Sequence, residues 1–298
     1  MRLKSALRRG VAAAVIAGIV VSSGIPAYAI QWNIADGDIT VKAGGAEGKN
    51  RVSQGEKENV EDTDTVITGE SKEHTVTIDT SKGDVDVTFD DLKINVSGKT
   101  EGDSSGEGSG HGGEAAVTVK GDHDATIELD GDNELKSGGK NAGLEKNGNE
   151  SSGKLTIKDD NDTKGSLTAE GGDGGGAGIG GKNESGAGNI EITGGTVKAV
   201  GGEGAAGIGG GVYGPGHDIE ISGGEVSATG GNANKNLESS RPGAAGIGDG
   251  AGTEGREIDP DAPPSNPDNP NHIIISGDAE VEAKAGASTG GKTAAIGG

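Results

Sequence analysis

Glu191 and Glu220 stand 29 residues apart, each at the centre of an Ile-Glu-Ile triplet. If the apolar residues of these triplets point inward, the outward positions form one row: Glu128, Thr156, Glu191, Glu220 and Ile274. Two carboxylates one repeat apart in such a row repel by about 1 kcal/mol even in bulk water. A hard, oxygen-seeking cation such as calcium, bridging them, would relieve that repulsion. Glu191 and Glu220 are therefore the calcium candidates of this sequence, against the plainer alternative of splayed, solvated side chains, and no cofactor is required.

The other chemistry-bearing residues are scattered. Asp160-x-Asp162-x-Lys164-Gly165 starts like a calcium loop, but lysine stands at the third ligand position and no acid follows at the required distance, so a structural corner is the better reading. The glycine runs do not form tandem Gly-Gly-x-Gly-x-Asp repeats. The five histidines, at 74, 111, 123, 217 and 272, have no metal-ligand spacing. Acids are plentiful without clustering into the paired carboxylates that hydrolysis or elimination of a polysaccharide needs. No catalytic residue is assigned.

The element that positions these residues is a repeat. IEITGGTVKAVGGEGAAGIGG, at residues 190–210, returns as IEISGGEVSATGG from Ile219 and GAAGIGDG from Gly243. Each unit carries three alternating runs. The first aligns Ile127/Leu129, Leu155/Ile157, Ile190/Ile192, Ile219/Ile221 and Ile273/Ile275; the second aligns Leu135, Leu167, Val197, Val226 and Val281; the third aligns Leu144, Ile179, Ile208, Ile247 and Ile296. Alternation of period two means strand. Successive spacings are 28 (129 to 157), 35, 29 and 54 for the first run and 32, 30, 29 and 55 for the second, which gives a basic period of about 29 with insertions. A unit this small cannot bury a core alone, but stacked on its copies it can, each strand pairing in parallel with its equivalent about 4.8 Å away. The expected fold is all-β: a right-handed parallel β-helix solenoid with three strands per coil.

Composition agrees only when read through that period. With 62 glycines, no cysteine and 30% hydrophobic residues, the 298-residue chain would otherwise resemble a disordered one. Glycines occupy the outward positions of the third run, Gly178, Gly207 and Gly246, followed by Gly180, Gly209 and Gly248. This row either forms a flat outer strip that a sugar or a partner can approach, or serves tight corners.

Arg2, Lys4, Arg8 and Arg9 precede an apolar run at residues 11–21, and Ala27-Tyr28-Ala29 has the small residues of a signal-peptidase site. Residues 1–29 therefore read as a secretory signal peptide cleaved after Ala29. The apolar run is well short of the roughly 20 residues that span a bilayer, so the membrane is met only through this peptide. Loss of its four basic residues moves the formal charge from −22 to −26. An acidic chain of this kind repels nucleic acid.

Residues 30–97 keep alternation without a clear repeat and read as N-terminal coils, with Trp32 plugging the end of the core or, as the alternative, offering a sugar platform. Residues 98–114 form a Gly/Ser/acidic loop. Residues 115–298 carry the regular repeats, interrupted at 252–271 by a segment with five prolines, which cannot sit in a β ladder. The chain stops in mid-repeat, which favours a fragment.

Val85-x-Val87-x-Phe89-Asp-Asp-Leu92, Ala125-Thr-Ile127-Glu-Leu129-Asp-Gly-Asp-Asn133, Lys154-Leu-Thr-Ile157, Gly165-Ser-Leu-Thr-Ala169 and the repeated Ala-Gly-Ile-Gly-Gly and Ile-Ser-Gly-Gly motifs resemble a bacterial family. It is the group of secreted right-handed parallel β-helix proteins named for a carbohydrate-binding domain. The resemblance covers residues 30–298 and rests on structural motifs. It implies a non-catalytic, secreted or cell-surface protein that holds plant cell-wall or acidic polysaccharide, with calcium as a candidate ion, and transfers no individual ligand-binding residue. The alternatives are a passive surface stalk or structural repeat protein and, further off, a pectin lyase-like polysaccharide-degrading enzyme.

Overall fold

The structure, a computed structural model, describes residues 30–45, 48–98, 113–161, 164–233, 243–252, 272–288 and 293–297. The expected signal peptide and its expected cleavage after Ala29, most of the 98–114 loop and the proline-rich insertion beyond Gly252 lie outside the described residues. Among the described residues there is no α-helix, only a single 3-10 turn at Ile34–Asp36.

Strands of the repeats stack in three parallel ladders. The first runs Ala125–Asp130, Leu155–Lys158, Ile190–Ile192, Ile219–Ile221 and Ile273–Ile275. The second runs Asp132–Lys136, Ser166–Glu170, Thr196–Val200, Glu225–Thr229 and Glu280–Lys284. The third runs Val76–Asp79, Val117–Lys120, Leu144–Glu145, Ile179–Gly180, Ile208–Gly209, Ile247–Gly248 and Ile296–Gly297. The long strand Val85–Asn95 joins the first two into one 13-stranded sheet, pairing with Ala125–Asp130 through its first half and with Glu134, Leu135 and Lys136 through its last residues. Between the halves Asp91 takes φ +50°, a left-handed conformation that aspartate tolerates, and its Oδ1 accepts from Asp132 N at 2.9 Å.

Alternation sets what is buried. Ile192 pairs with Ile221 and Ile221 with Ile275, forming one inward column in which the first two are fully buried. Each such isoleucine contributes about 1.5–3 kcal/mol when its side chain leaves water. The column opens to solvent only at the last strand, where Ile275 is 42% exposed.

Two alignments differ from the sequence expectation, both by two residues. Ile127, not Leu129, pairs with Ile157, so the first spacing is 30 (127 to 157), and Leu129 pairs with Phe89. Asn133, not Leu135, pairs with Leu167, and Leu135 pairs with Ala169. A two-residue slip leaves every side chain on the same face, so alternation cannot detect it. Glu128 consequently leaves the expected outward row: Thr126 pairs with Thr156, and Glu128 with Lys158.

The N-terminal segment departs from the repeat. Asn50–Gln54 pairs antiparallel with Ile39–Ala43 and Lys57–Asp62 antiparallel with Asn50–Gln54, which adds a meander to the edge of the third ladder. Trp32 is 1% exposed beneath it and donates from Nε1 to Asp62 Oδ2 at 2.8 Å. The plug is thus an aromatic ring with its polar atom satisfied, and the ring has no outward face to offer a sugar.

Candidate functional site

The outward row places Glu191 and Glu220 directly opposite each other on adjacent strands. The preceding coil supplies a counter-charge: Lys154 Nζ lies 2.7 Å from Glu191 Oε2, and Thr156 Oγ1 donates to the same oxygen at 3.2 Å. The Glu191 hydrogen bond holds the Lys154 ammonium above the usual lysine range. The carboxylate pair is therefore partly neutralised by the protein. Among the described residues, no three His, Cys, Asp or Glu side chains come together as a metal cage.

Glu128 is used to build a corner. Its Oε1 accepts from Asp160 N at 2.8 Å and from Asn161 Nδ2 at 3.0 Å, while its Oε2 lies 3.3 Å from Lys158 Nζ. Lys158 also donates to Asp160 Oδ2 at 2.8 Å, the leading reason its ammonium is held above the usual range. Asp162 lies outside the described residues; Asp159 Oδ2 accepts from Gly165 N at 3.1 Å, which closes the same turn.

The glycine row is not an open strip. Gly178, Gly207 and Gly246 are buried. A Cβ on Gly178 would meet Val200 N at 2.5 Å, and one on Gly207 would meet Thr229 N and Gly246 O, each at 2.7 Å. The second ladder's strand ends pass directly over these positions, so glycine is needed for close backbone approach rather than for an external ligand. Gly180, Gly209 and Gly248 have φ near +130° and make the turn that follows.

Three of the histidines sit beside acids at separate corners: His74 Nδ1 is 3.3 Å from Asp38, His123 Nδ1 3.9 Å from Asp84, and His217 Nδ1 2.9 Å from Asp218. His272 is exposed, and His111 lies outside the described residues.

Two features lie outside the sequence expectations. The first is a buried polar group on the third ladder, where Glu145 and Lys146 replace the Gly180-Gly181 and Gly209-Gly210 of later coils. Lys146 is 1% exposed, and its Nζ donates to Ser151 O at 3.0 Å and to Gly188 O at 2.8 Å. Burial pushes its ammonium down to about 8. Glu145 accepts from Asn147 Nδ2 at 2.8 Å and Ala142 N at 3.2 Å, and burial pushes its carboxyl up. The break in the Gly-Gly pattern was the available signal.

The second is a corner formed by residues 212–218 and 249–252. Asp249 Oδ1 accepts from Gly216 N at 2.8 Å there, and burial raises its carboxyl above the usual range. Tyr213 stands at the same corner, half-buried, whereas Trp32 and Phe89 are fully buried.

Among the described residues no helix is long and apolar enough to cross a membrane. Comparison with protein-family models, with curated proteins and with solved structures finds no match to this chain.

Proposed function

We propose that this chain is an exported, non-catalytic polysaccharide-binding protein whose coils form a right-handed parallel β-helix with three strands each. The handedness follows from the strong preference of parallel crossover connections for the right hand. The observation that carries the functional reading is the in-register outward face of the second ladder. Ser166, Thr196 and Glu225 occupy one column and Thr168, Lys198 and Ser227 the next, so hydrogen-bonding groups recur once per coil. Parallel strands repeat at about 4.8 Å. A periodic row of weak polar contacts suits a periodic polymer, and affinity rises with the number of contacts engaged together.

Catalysis is the poorer reading because the carboxylates are spent on corners and ion pairs at separate places, and fold alone does not carry an activity. Calcium enters through Glu191 and Glu220: with an acidic glycan, the formal charge of −26 after loss of the four basic signal residues makes a bridging cation necessary.

The test is retention of the purified chain on a panel of plant and bacterial polysaccharides, with and without millimolar calcium, together with an assay for released sugar. Binding without turnover is expected, strengthening with polymer length. Absence of retention throughout leaves a passive stalk; release of unsaturated or reducing sugar makes it an enzyme. Mass spectrometry of the exported form should show Ile30 as the first residue, and an uncleaved residue 1–29 segment on a cytoplasmic protein would overturn the export reading.

A further inference from the structure

One column on the outward face of the second ladder runs Glu134, Thr168, Lys198, Ser227 and Glu282, each directly opposite the next on adjacent strands. Strand spacing puts neighbours in this column about 4.8 Å apart. Three other lysines of the ladder are each committed to an acid: Lys93 lies 3.7 Å from Glu70, Lys136 2.8 Å from Glu170 and Lys284 2.7 Å from Glu282. Lys198 differs from them. It is exposed, Thr168 and Ser227 on either side of it are half-buried, and among the described residues none of the three side chains has a hydrogen-bond or ion-pair partner.

These groups select a ligand by their chemistry. An ammonium carries three donors and no acceptor, and the hydroxyl on each side can donate as well. The trio therefore presents donors along a line about 10 Å long, which suits a carboxylate seated on the ammonium. The nearby acids do not take that place. Glu170 is held by Lys136, and Glu225, exposed at the start of the next strand, makes no ion pair with Lys198. Glu134 and Glu282 bound the column with acceptors, so Lys198 is its one place for an anion.

We propose that Lys198 seats the carboxylate of a uronate residue in an acidic polysaccharide, with Thr168 and Ser227 hydrogen-bonding to hydroxyls of the same sugar or its neighbour. This rests on the polysaccharide-binding reading above and names the contact residue and the charged group it takes. Glu191 and Glu220 stand on the first ladder, so a calcium ion bridging there offsets the overall negative charge, while Lys198 meets the carboxylate directly.

The experiment is affinity electrophoresis of the full chain and of Lys198→Met, Lys198→Arg and Lys120→Met at millimolar calcium. The gels contain polygalacturonate or glucuronoxylan, each also in its carboxyl-reduced, neutral form. Lys120 is an exposed lysine on the third ladder and controls for the loss of one positive charge. At least one acidic polymer should retard the wild type, Lys198→Arg and Lys120→Met alike, and its reduced form should retard them much less. Lys198→Met should bind that polymer roughly tenfold more weakly, with an unchanged melting temperature because the Lys198 ammonium holds no partner in the fold. Equal retardation of Lys198→Met and wild type refutes this contact while polysaccharide binding stands. Matching losses in Lys198→Met and Lys120→Met assign the effect to bulk charge and refute it too, and so does a Lys198→Arg that binds as weakly as Lys198→Met. Equal retardation by reduced and unreduced polymers refutes the carboxylate as the ligand. No retardation by any of these gels refutes the contact, and the binding reading itself falls only if the wider polysaccharide panel also fails to retain the chain.

Discussion

The Lys146 ammonium donates a 2.8 Å hydrogen bond to the carbonyl of Gly188, 42 residues along the chain, from a side chain that is 1% exposed. The folded lysine titrates at about 8 and the unfolded one at 10.5. Below the lower value both states are protonated, and burying the cation costs about 3 kcal/mol relative to a neutral amine. Between the two values the unfolded chain binds more protons, so this group makes the protein more stable as pH rises from 8 towards 10.5. Urea unfolding at pH 7 and pH 10 should show the gain in the wild type and its absence in Lys146→Met, the difference between the two proteins isolating this group from the other lysines.

Ile221→Asp places a charge in a column where both neighbours, Ile192 and Ile275, are apolar. No buried partner exists for it on that column, so the cost should exceed about 4 kcal/mol. Ile221→Val should cost only about 1 kcal/mol. Circular dichroism melts of the two variants check the contrast, and near-equal melting temperatures would contradict the stacked column.

Gly178→Ala forces a methyl to within 2.5 Å of Val200 N, whereas a methyl on Gly45 meets nothing within 4 Å. The first substitution should destabilise by about 1–3 kcal/mol and the second should be close to neutral. Equal effects would mean that the strand ends do not pass over the glycine row.

Trp32 is the only tryptophan, so its emission reports on the N-terminal plug alone. Asp62→Leu removes the acceptor of its indole N–H and should cost about 1–3 kcal/mol. The emission, blue-shifted in the wild type by burial, should move to the red at a lower denaturant concentration in the variant. Coincident transitions in the two proteins would show that the 2.8 Å Trp32–Asp62 bond contributes nothing.

At the calcium candidates a local pattern fixes which residues face each other, while their electrostatic surroundings come from another part of the chain. Ile190, Ile192, Ile219 and Ile221 in matching triplets were enough to place Glu191 opposite Glu220, and the register bears this out. The lysine that answers Glu191 comes from the coil before, at position 154, where the sequence shows only a charged residue ahead of a strand. The Asp249 corner is assembled from residues 212–218 and 249–252, and Asp249 Oδ1 meets Gly216 N only once both segments are in place.

What the sequence determined alone is the inward and outward choice at each strand position and the approximate period, because alternation of apolar residues and a near-identical repeat are local properties of the chain. Register across the first coils was decided only by tertiary structure. A slip of two residues preserves alternation, and hydrophobicity favours Leu135 over Asn133 as the partner of Leu167, which is the register the structure does not adopt. Asn133 takes the inward slot because its side chain accepts from Leu92 N at 2.9 Å and donates to Asp130 O and Ser166 O at 3.1 and 3.0 Å, bonds that exist only once three strands are in place. The same holds for Lys146, whose burial is tolerable only because Ser151 and Gly188 bring carbonyls to it. Polar groups inside a core are placed by partners distant in sequence, and those partners are defined by the fold.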